Sequence, residues 1–296
     1  MRATNRTRFL LRTTLTAMLC LVVGAPGVAF AEPGWEPGTP PITTPWTDQV
    51  GPDNALPEYP RPQLVRTRWQ SLNGVWQFAG AAEGEAPPFG EQLSERVLVP
   101  YPIESALSGI QRHEDRMWYR RTFRVPASWR VGGGQRLRLN FDAVDYDATV
   151  WVNGTRVATH RGGYDAFSVD VTDALRGTGA QELVVGVTDL TDQTWQPIGK
   201  QRNVPDRGIF YTSSSGIWQS VWLEPVPASH IDRLQMTPDI GDGSLRLTAR
   251  TSGGSGLTVE AIAYAGSRVV GRATGPAGTP LRVPVPNATL WSPDSP

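Results

Sequence analysis

Apolar residues recur at every second position, in short runs, along most of this chain. In Asn73-Gly74-Val75-Trp76-Gln77-Phe78, Trp76 and Phe78 fall on one side and Val75 and Gln77 on the other, as in a strand leaving an Asn-Gly turn. Leu137, Leu139 and Phe141 alternate with Arg138 and Asn140. Phe167, Val169 and Val171 alternate with Ser168 and Asp170, and Leu183, Val185 and Val187 repeat the pattern. Val150-Trp151-Val152 and Thr155-Arg156-Val157 flank Asn153-Gly154, the sequence cue for a two-residue hairpin. Gly216 to Leu223 predicts one strand with Trp218 and Trp222 on a shared face. No long stretch of 3.6-residue period intervenes, so helix is expected only as short turns, and the strands predict a sandwich of jelly-roll type.

The pattern also divides the chain. Residues 32–60 are rich in Pro, Gly and Thr and read as a linker or arm without a core of its own. The jelly roll is expected over residues 61–226. Near Pro225-Val226-Pro227 the character changes, and residues 227–296 carry new alternations at Leu245, Leu247 and Ala249 and at Val259, Ala261 and Ala263. These predict an immunoglobulin-like sandwich with too few strands, since that fold takes about 100 residues. The fold class is therefore all-β, a jelly roll followed by a partial immunoglobulin-like sandwich, and the natural chain is expected to continue.

Composition adds a compartment. Arg2, Arg6, Arg8 and Arg12, an apolar run from Leu15 to Val23, and Ala29-Phe30-Ala31 read as an export signal over residues 1–31. The run is too short for a stable membrane anchor, and cleavage near Ala31 would leave a secreted protein, extracellular or periplasmic. The single cysteine, Cys20, lies in this signal after the bulky Leu19, which argues against lipid modification. The mature chain would then carry no disulfide and no cysteine metal ligand. Of 28 basic residues four lie in the signal, leaving 24 against 28 acidic residues, or −4. No basic stripe points to nucleic acid. The 31 Gly and 26 Pro, spread along the chain, fit frequent turns, and 11 Trp offer core volume and flat platforms for sugar rings.

Several residues have a sharp and a plain reading. Asp142, Asp145 and Asp147 could form a carboxylate or calcium site, but no looped cage of oxygens is visible, and turn or strand-end acids are the plainer reading. His113, His160 and His230 are too scattered for a metal motif. Ser213-Ser214-Ser215-Gly216 lacks a nucleophile elbow, and Gly132-Gly133-Gly134 lacks the strand–turn–helix context of a phosphate loop. Arg116 and Arg120 read as surface or strand-pairing residues. Trp76, Trp151, Trp218 and Trp222 read as core, whereas Trp195 lies in an irregular stretch between Leu190 and Phe210. Such a long irregular stretch is uncommon in a compact domain unless functional, and Trp195 becomes a candidate sugar platform.

Five segments, in order, resemble the N-terminal sugar-binding domain of glycoside hydrolase family 2, the β-galactosidases, β-glucuronidases and β-mannosidases. They are Leu72-Asn73-Gly74-Val75-Trp76-Gln77-Phe78; Val99-Pro100-Tyr101-Pro102-Ile103-Glu104-Ser105; Met117-Trp118-Tyr119-Arg120-Arg121-Thr122-Phe123; Phe141 through Asn153-Gly154 to Gly162-Gly163-Tyr164; and Ser215 to Glu224. The segment ending in Leu290-Trp291-Ser292-Pro293 looks like the start of the family's immunoglobulin-like domain. The resemblance implies a galactose-binding-like jelly roll and no cofactor. It also implies a retaining mechanism carried by two glutamates of a (β/α)₈ barrel in cis, a barrel not expected in this chain, so no residue here takes a catalytic role. Jelly-roll loops in the family reach over the barrel mouth. The matching substrate contacts are foremost Asp192, then Lys200 and Asp145, with Tyr146 and Gln193; carboxylates and amides suit vicinal hydroxyls. Asp189 and Asp192 remain open between sugar contact and loop punctuation. The alternative to a glycosidase portion is a stand-alone secreted carbohydrate-binding module, and a structural partner lending loops to a separate barrel is a third reading.

Overall fold

The computed structural model describes residues 34–61, 63–203 and 208–295. The expected export signal lies outside them. The first strands are β1 (Gln70–Ser71), β2 (Gly74–Gly80), β3 (Glu95–Val99), β4 (Arg116–Phe123), β5 (Gln135–Phe141), β6 (Val144–Asp145) and β7 (Asp147–Val152). Then come β8 (Thr155–Arg161), β9 (Phe167–Asp170), β10 (Gln181–Thr188), β11 (Gln201–Arg202), β12 (Tyr211–Thr212), β13 (Gly216–Ile217) and β14 (Val221–Pro227). Helix occurs among the described residues only as short 3-10 turns.

Alternation builds the sandwich. A six-stranded sheet ordered β3-β2-β4-β10-β7-β8 faces a four-stranded sheet ordered β1-β14-β5-β9. Trp76, Phe78, Tyr119, Leu139, Phe141, Val150 and Val185 fill the space between them and are all but inaccessible to water. Full burial of such side chains contributes about 1.5–3 kcal/mol each. The hairpin between β7 and β8 turns on Asn153 (φ 51°) and Gly154 (φ 80°), the positive pair the sequence cue requires. Asn153 also donates through Nδ2 to Gln181 Oε1 (2.7 Å) and Ala174 O (2.8 Å), so the turn is fastened to its neighbours.

The tryptophans depart from the sequence reading. Trp76 belongs to the main core, but Trp222 is buried on the opposite, outer face of β14, where its indole donates to Glu224 Oε1. Trp151 joins Trp118, Leu93 and Val184 in a small cluster outside the six-stranded sheet. The expected strand from Gly216 to Leu223 is two strands, β13 and β14, separated by a break. The break falls at residues 218–220; Gly216, at φ 83° with Tyr119 Oη in the place of its missing Cβ, opens β13 at a position suited only to glycine. Trp218 falls in the break, half-buried, its indole donating to Gly163 O (2.8 Å). It shares no face with Trp222.

Residues 34–60 form an arm laid on this sandwich. Gly38 N donates to Ala106 O (2.7 Å), Trp35 Nε1 to Ser108 O (3.0 Å), and Asn73 Nδ2 to Ala55 O (3.1 Å). Beyond β14 come β15 (His230–Asp239), β16 (Ser244–Ser252), β17 (Thr258–Ala265), β18 (Arg268–Pro276) and β19 (Leu281–Pro284). They form a three-stranded sheet, β15-β16-β19, and a β17-β18 pair, around Leu247, Ala249, Val259, Ala261, Leu281 and Val283. Leu290 and Trp291 are exposed. The alternations at Leu245, Leu247 and Ala249 and at Val259, Ala261 and Ala263 thus fall on β16 and β17.

Candidate functional site

The candidate site is the end of the jelly roll where β6, β13 and the stretch from Asp189 to Asn203 meet. Asp145 ends β6 and pairs with Gly216 of β13. Its side chain is 2% exposed and packs beneath Gly163, where even a Cβ would overlap the carboxylate. Oδ1 has no hydrogen-bond partner among the described residues. Burial first, and then the charges of Asp189 and Glu104, push its carboxyl up to about 7, against a hydrogen bond from Gln201. The Asp145–Tyr146 peptide is cis. Tyr146 is half-buried, and its carbonyl accepts from Gly162 N (3.1 Å).

Gln201 is the junction of the site. Its Nε2 donates to Tyr164 Oη (3.0 Å) and its Oε1 accepts from Ser214 N (2.6 Å), so three loops meet on one carboxamide. A second chain of bonds runs alongside. His113 lies between Glu104 (Nδ1 to Oε1, 3.0 Å) and Asp115 (Nε2 to Oδ1, 3.0 Å). Glu104 in turn accepts from Ser213 Oγ (2.8 Å) and Ser215 N (2.9 Å), and Asp115 accepts from Gln193 Nε2 (3.2 Å). Burial pulls the His113 pKa down, but its bonds to Glu104 and Asp115 outweigh this and leave it raised.

The predicted contacts divide accordingly. Asp145 and Gln193 are built into this network. Asp192 is exposed on a 3-10 turn (Thr191–Gln193), 3.6 Å from Arg202 Nε, and Lys200 places its Nζ 5.9 Å from the centre of the exposed Tyr211 ring. Trp195 is fully exposed at 102% and has no ring or hydrogen-bond partner among the described residues. Asp189 takes the plain reading: its Oδ1 accepts from Thr191 N, Thr191 Oγ1 and Gln196 Nε2, which holds the start of the irregular stretch. Asp147 pairs with Arg161 at the sheet surface, and the buried Arg120 pairs with Glu182. Among the described residues no group of three or more His, Asp or Glu is arranged to hold a metal ion.

Sequence reasoning reached Gln201 only as the end of the stretch leading from Asp192 through Lys200, and did not nominate Glu104, His113, Asp115 or Tyr164 as parts of one site. Glu104 and Ser215 are 111 positions apart, and no local pattern links them. The one available signal was the density of polar residues between Asp189 and Gln201.

Known proteins agree with this architecture. Residues 88–227 match the family described as glycosyl hydrolases family 2, sugar binding domain. Among curated relatives, a β-glucuronidase of Pongo abelii is 27% identical over 267 residues and one of Felis catus 25% identical over 265. Each alignment covers 79% of this chain and 40% of the relative, so the chain spans about two fifths of those proteins. Among solved structures, Lactobacillus rhamnosus β-glucuronidase superposes with a TM-score of 0.61 at 28% identity, covering 77% of this chain and 40% of that one. Ruminococcus gnavus β-glucuronidase in complex with uronic deoxynojirimycin gives 0.59 at 21% identity, covering 76% and 40%, a likeness of fold.

Proposed function

Because residues 88–227 carry the sugar binding domain of glycosyl hydrolases family 2, we propose that this chain is the sugar-contacting portion of an exported β-glycosidase whose substrate is a terminal β-glucuronide. The observation that carries the reading is the loop cluster. The buried Asp145, the Gln201 junction and the exposed Trp195, Asp192 and Lys200 lie on or beside one irregular stretch at one end of the jelly roll. A cation, carboxylates and amides there suit a ring bearing vicinal hydroxyls and a carboxylate. Helix among the described residues is confined to 3-10 turns, so the glutamate pair of a (β/α)₈ barrel is not among them. We assign bond cleavage to such a barrel in a longer form of the protein, with the loops completing its mouth. Export follows from residues 1–31, and N-terminal sequencing of secreted material should find Glu32 first.

A chromogenic β-glucuronide tests the reading. The 296-residue chain should not turn it over. A longer form bearing the barrel should, and Lys200→Ala and Asp192→Ala in that form should raise KM more than they lower kcat. Turnover by the 296-residue chain, or a longer form indifferent to both substitutions, would overturn it. Millimolar or tighter glucuronide binding by the 296-residue chain would instead favour a self-sufficient binding module.

A further inference from the structure

The outer face of the four-stranded sheet carries a second feature, a groove of about 970 Å³. Such a face usually meets solvent. Here Arg61, just past the arm, lines one side, and Ala228, His230, Asp232 and Arg233 line the other. Between them lie Arg136, Arg138, Asn140, Ser168 and Asp170, brought side by side by the β5–β9 register, in which Arg138 faces Asp170 and Asn140 faces Ser168. Asn140 is fully buried, donating to Trp222 O (3.3 Å) and accepting from Ser168 Oγ (2.7 Å). Arg136 bonds Asp170 (2.6 Å) and Asp173, and Arg138 bonds Asp232 and His230.

Charge and ring geometry narrow what could bind. Four arginines (Arg61, Arg136, Arg138, Arg233) line the groove with three aspartates (Asp165, Asp170, Asp232), an excess of one, and Arg136 and Arg138 are already paired with Asp170, Asp173 and Asp232, so little free positive charge is left for an anion. Each Arg–Asp pair still keeps unused donors and acceptors, because a guanidinium has five N–H groups and a carboxylate about four lone-pair sites. Sugar hydroxyls, which donate and accept at once, match such pairs. Of the rings lining the groove, Phe141 and Trp222 are buried and Phe167 is stacked against Phe141 (4.8 Å) and His160 (4.2 Å), so none offers a free face to a sugar ring. Recognition would rest on hydrogen bonds, and the volume lies at the upper end of the roughly 300–1,000 Å³ usual for ligand pockets.

We propose that this groove binds a neutral, hydroxyl-rich oligosaccharide of several rings, at a site separate from the loop cluster. The inference rests on reading the chain as a carbohydrate binder, but it concerns different residues. Calorimetric titration of the 296-residue chain with cellotetraose and with tetragalacturonate tests it. Cellotetraose should bind with millimolar or tighter affinity and tetragalacturonate more weakly. Arg136→Gln, at a half-exposed strand position, should weaken cellotetraose at least about tenfold with thermal melting little changed; Ser168→Tyr, which blocks the groove but also removes the bond to Asn140, should weaken it as much in protein that circular dichroism shows to be folded, with a lowered melting temperature. No cellotetraose binding, binding indifferent to both variants, or preference for tetragalacturonate overturns the proposal. Binding lost in Trp195→Ala but retained in Ser168→Tyr also overturns it, placing the glycan at the loop cluster and leaving the glycosidase reading intact. Failure of the glycosidase reading shows separately, in the β-glucuronide assay.

Discussion

Asp145 concentrates the chemistry of the loop cluster in one carboxyl. Its pKa of about 7, against an ordinary value near 4, means the folded chain holds that proton more tightly than the unfolded chain. Below about pH 4 both states are protonated and the group has no effect. Between about 4 and 7 only the folded state keeps the proton, so stability falls as pH rises, and above 7 the full loss is present. Asp145→Asn removes this term. Urea titrations should show the variant gaining stability over the parent as pH rises from 4 to 8, whereas a constant difference would contradict it. Asp142, pushed to about 6 by burial against the opposing charge of Arg61, contributes a similar slope to both proteins and cancels from that difference. His113 obeys the opposite sign: its raised pKa gives stability that is fully present at low pH and lost as pH climbs through the folded value. Glu104→Gln should lower the His113 pKa seen by proton NMR, because a hydrogen-bonded carboxylate is replaced by a neutral amide.

At the scale of elements, two glycines with nearly equal φ separate backbone freedom from packing. Gly154 (φ 80°) has open space around it, and Gly216 (φ 83°) has Tyr119 Oη where a Cβ would go. Gly154→Ala should cost about 1–2 kcal/mol, the left-handed penalty alone. Gly216→Ala adds a clash with the fully buried Tyr119, which cannot swing away because Ile217 N bonds its hydroxyl (3.3 Å). Its cost should exceed about 3 kcal/mol, measured by denaturant unfolding. Equal costs would mean that β13 is not held in place against Tyr119. Gly216 matters to the site, since Ser213, Ser214 and Ser215 just before it bond Glu104 and Gln201.

At the scale of the whole molecule, one buried carboxylate joins three parts of the chain. Glu224 is fully buried on β14 and accepts from Tyr59, Arg66 and Trp222, while Arg66 also donates to Ile231 O on β15. Arm, jelly roll and second sandwich thus share a hydrogen-bonded node. Glu224→Ala strands the largely buried Arg66 guanidinium and should cost about 3–5 kcal/mol. The exposed Arg161–Asp147 pair is the comparison: Arg161→Ala should change stability by less than about 1 kcal/mol. Thermal melts of the two variants at one pH decide this, and similar shifts would remove Glu224 from the role of a node.

Sequence alone determined the strands, because burial on one face of a strand is written at every second residue and the period needs no knowledge of partners. It determined the Asn153-Gly154 hairpin for a related reason, since the conformation of a two-residue turn depends on those residues. The five segments carrying the family resemblance lie on or beside these strands. Tertiary structure decided what strand periodicity cannot encode: that Trp222 is buried outside the core, that Ile217 ends one strand and Val221 begins another, and that Glu104, His113, Asp145, Gln201 and Ser214 converge. Period 2 tells which face of a strand is apolar, but not which sheet face is then covered by other chain segments. It also says nothing of loops, whose convergence follows from strand order and register across more than a hundred residues. The groove lies where such long-range packing places polar side chains together and was not legible before the fold; of the candidate site the sequence offered single residues such as Asp145 and Gln193, through the family resemblance, but not their convergence with Glu104 and His113.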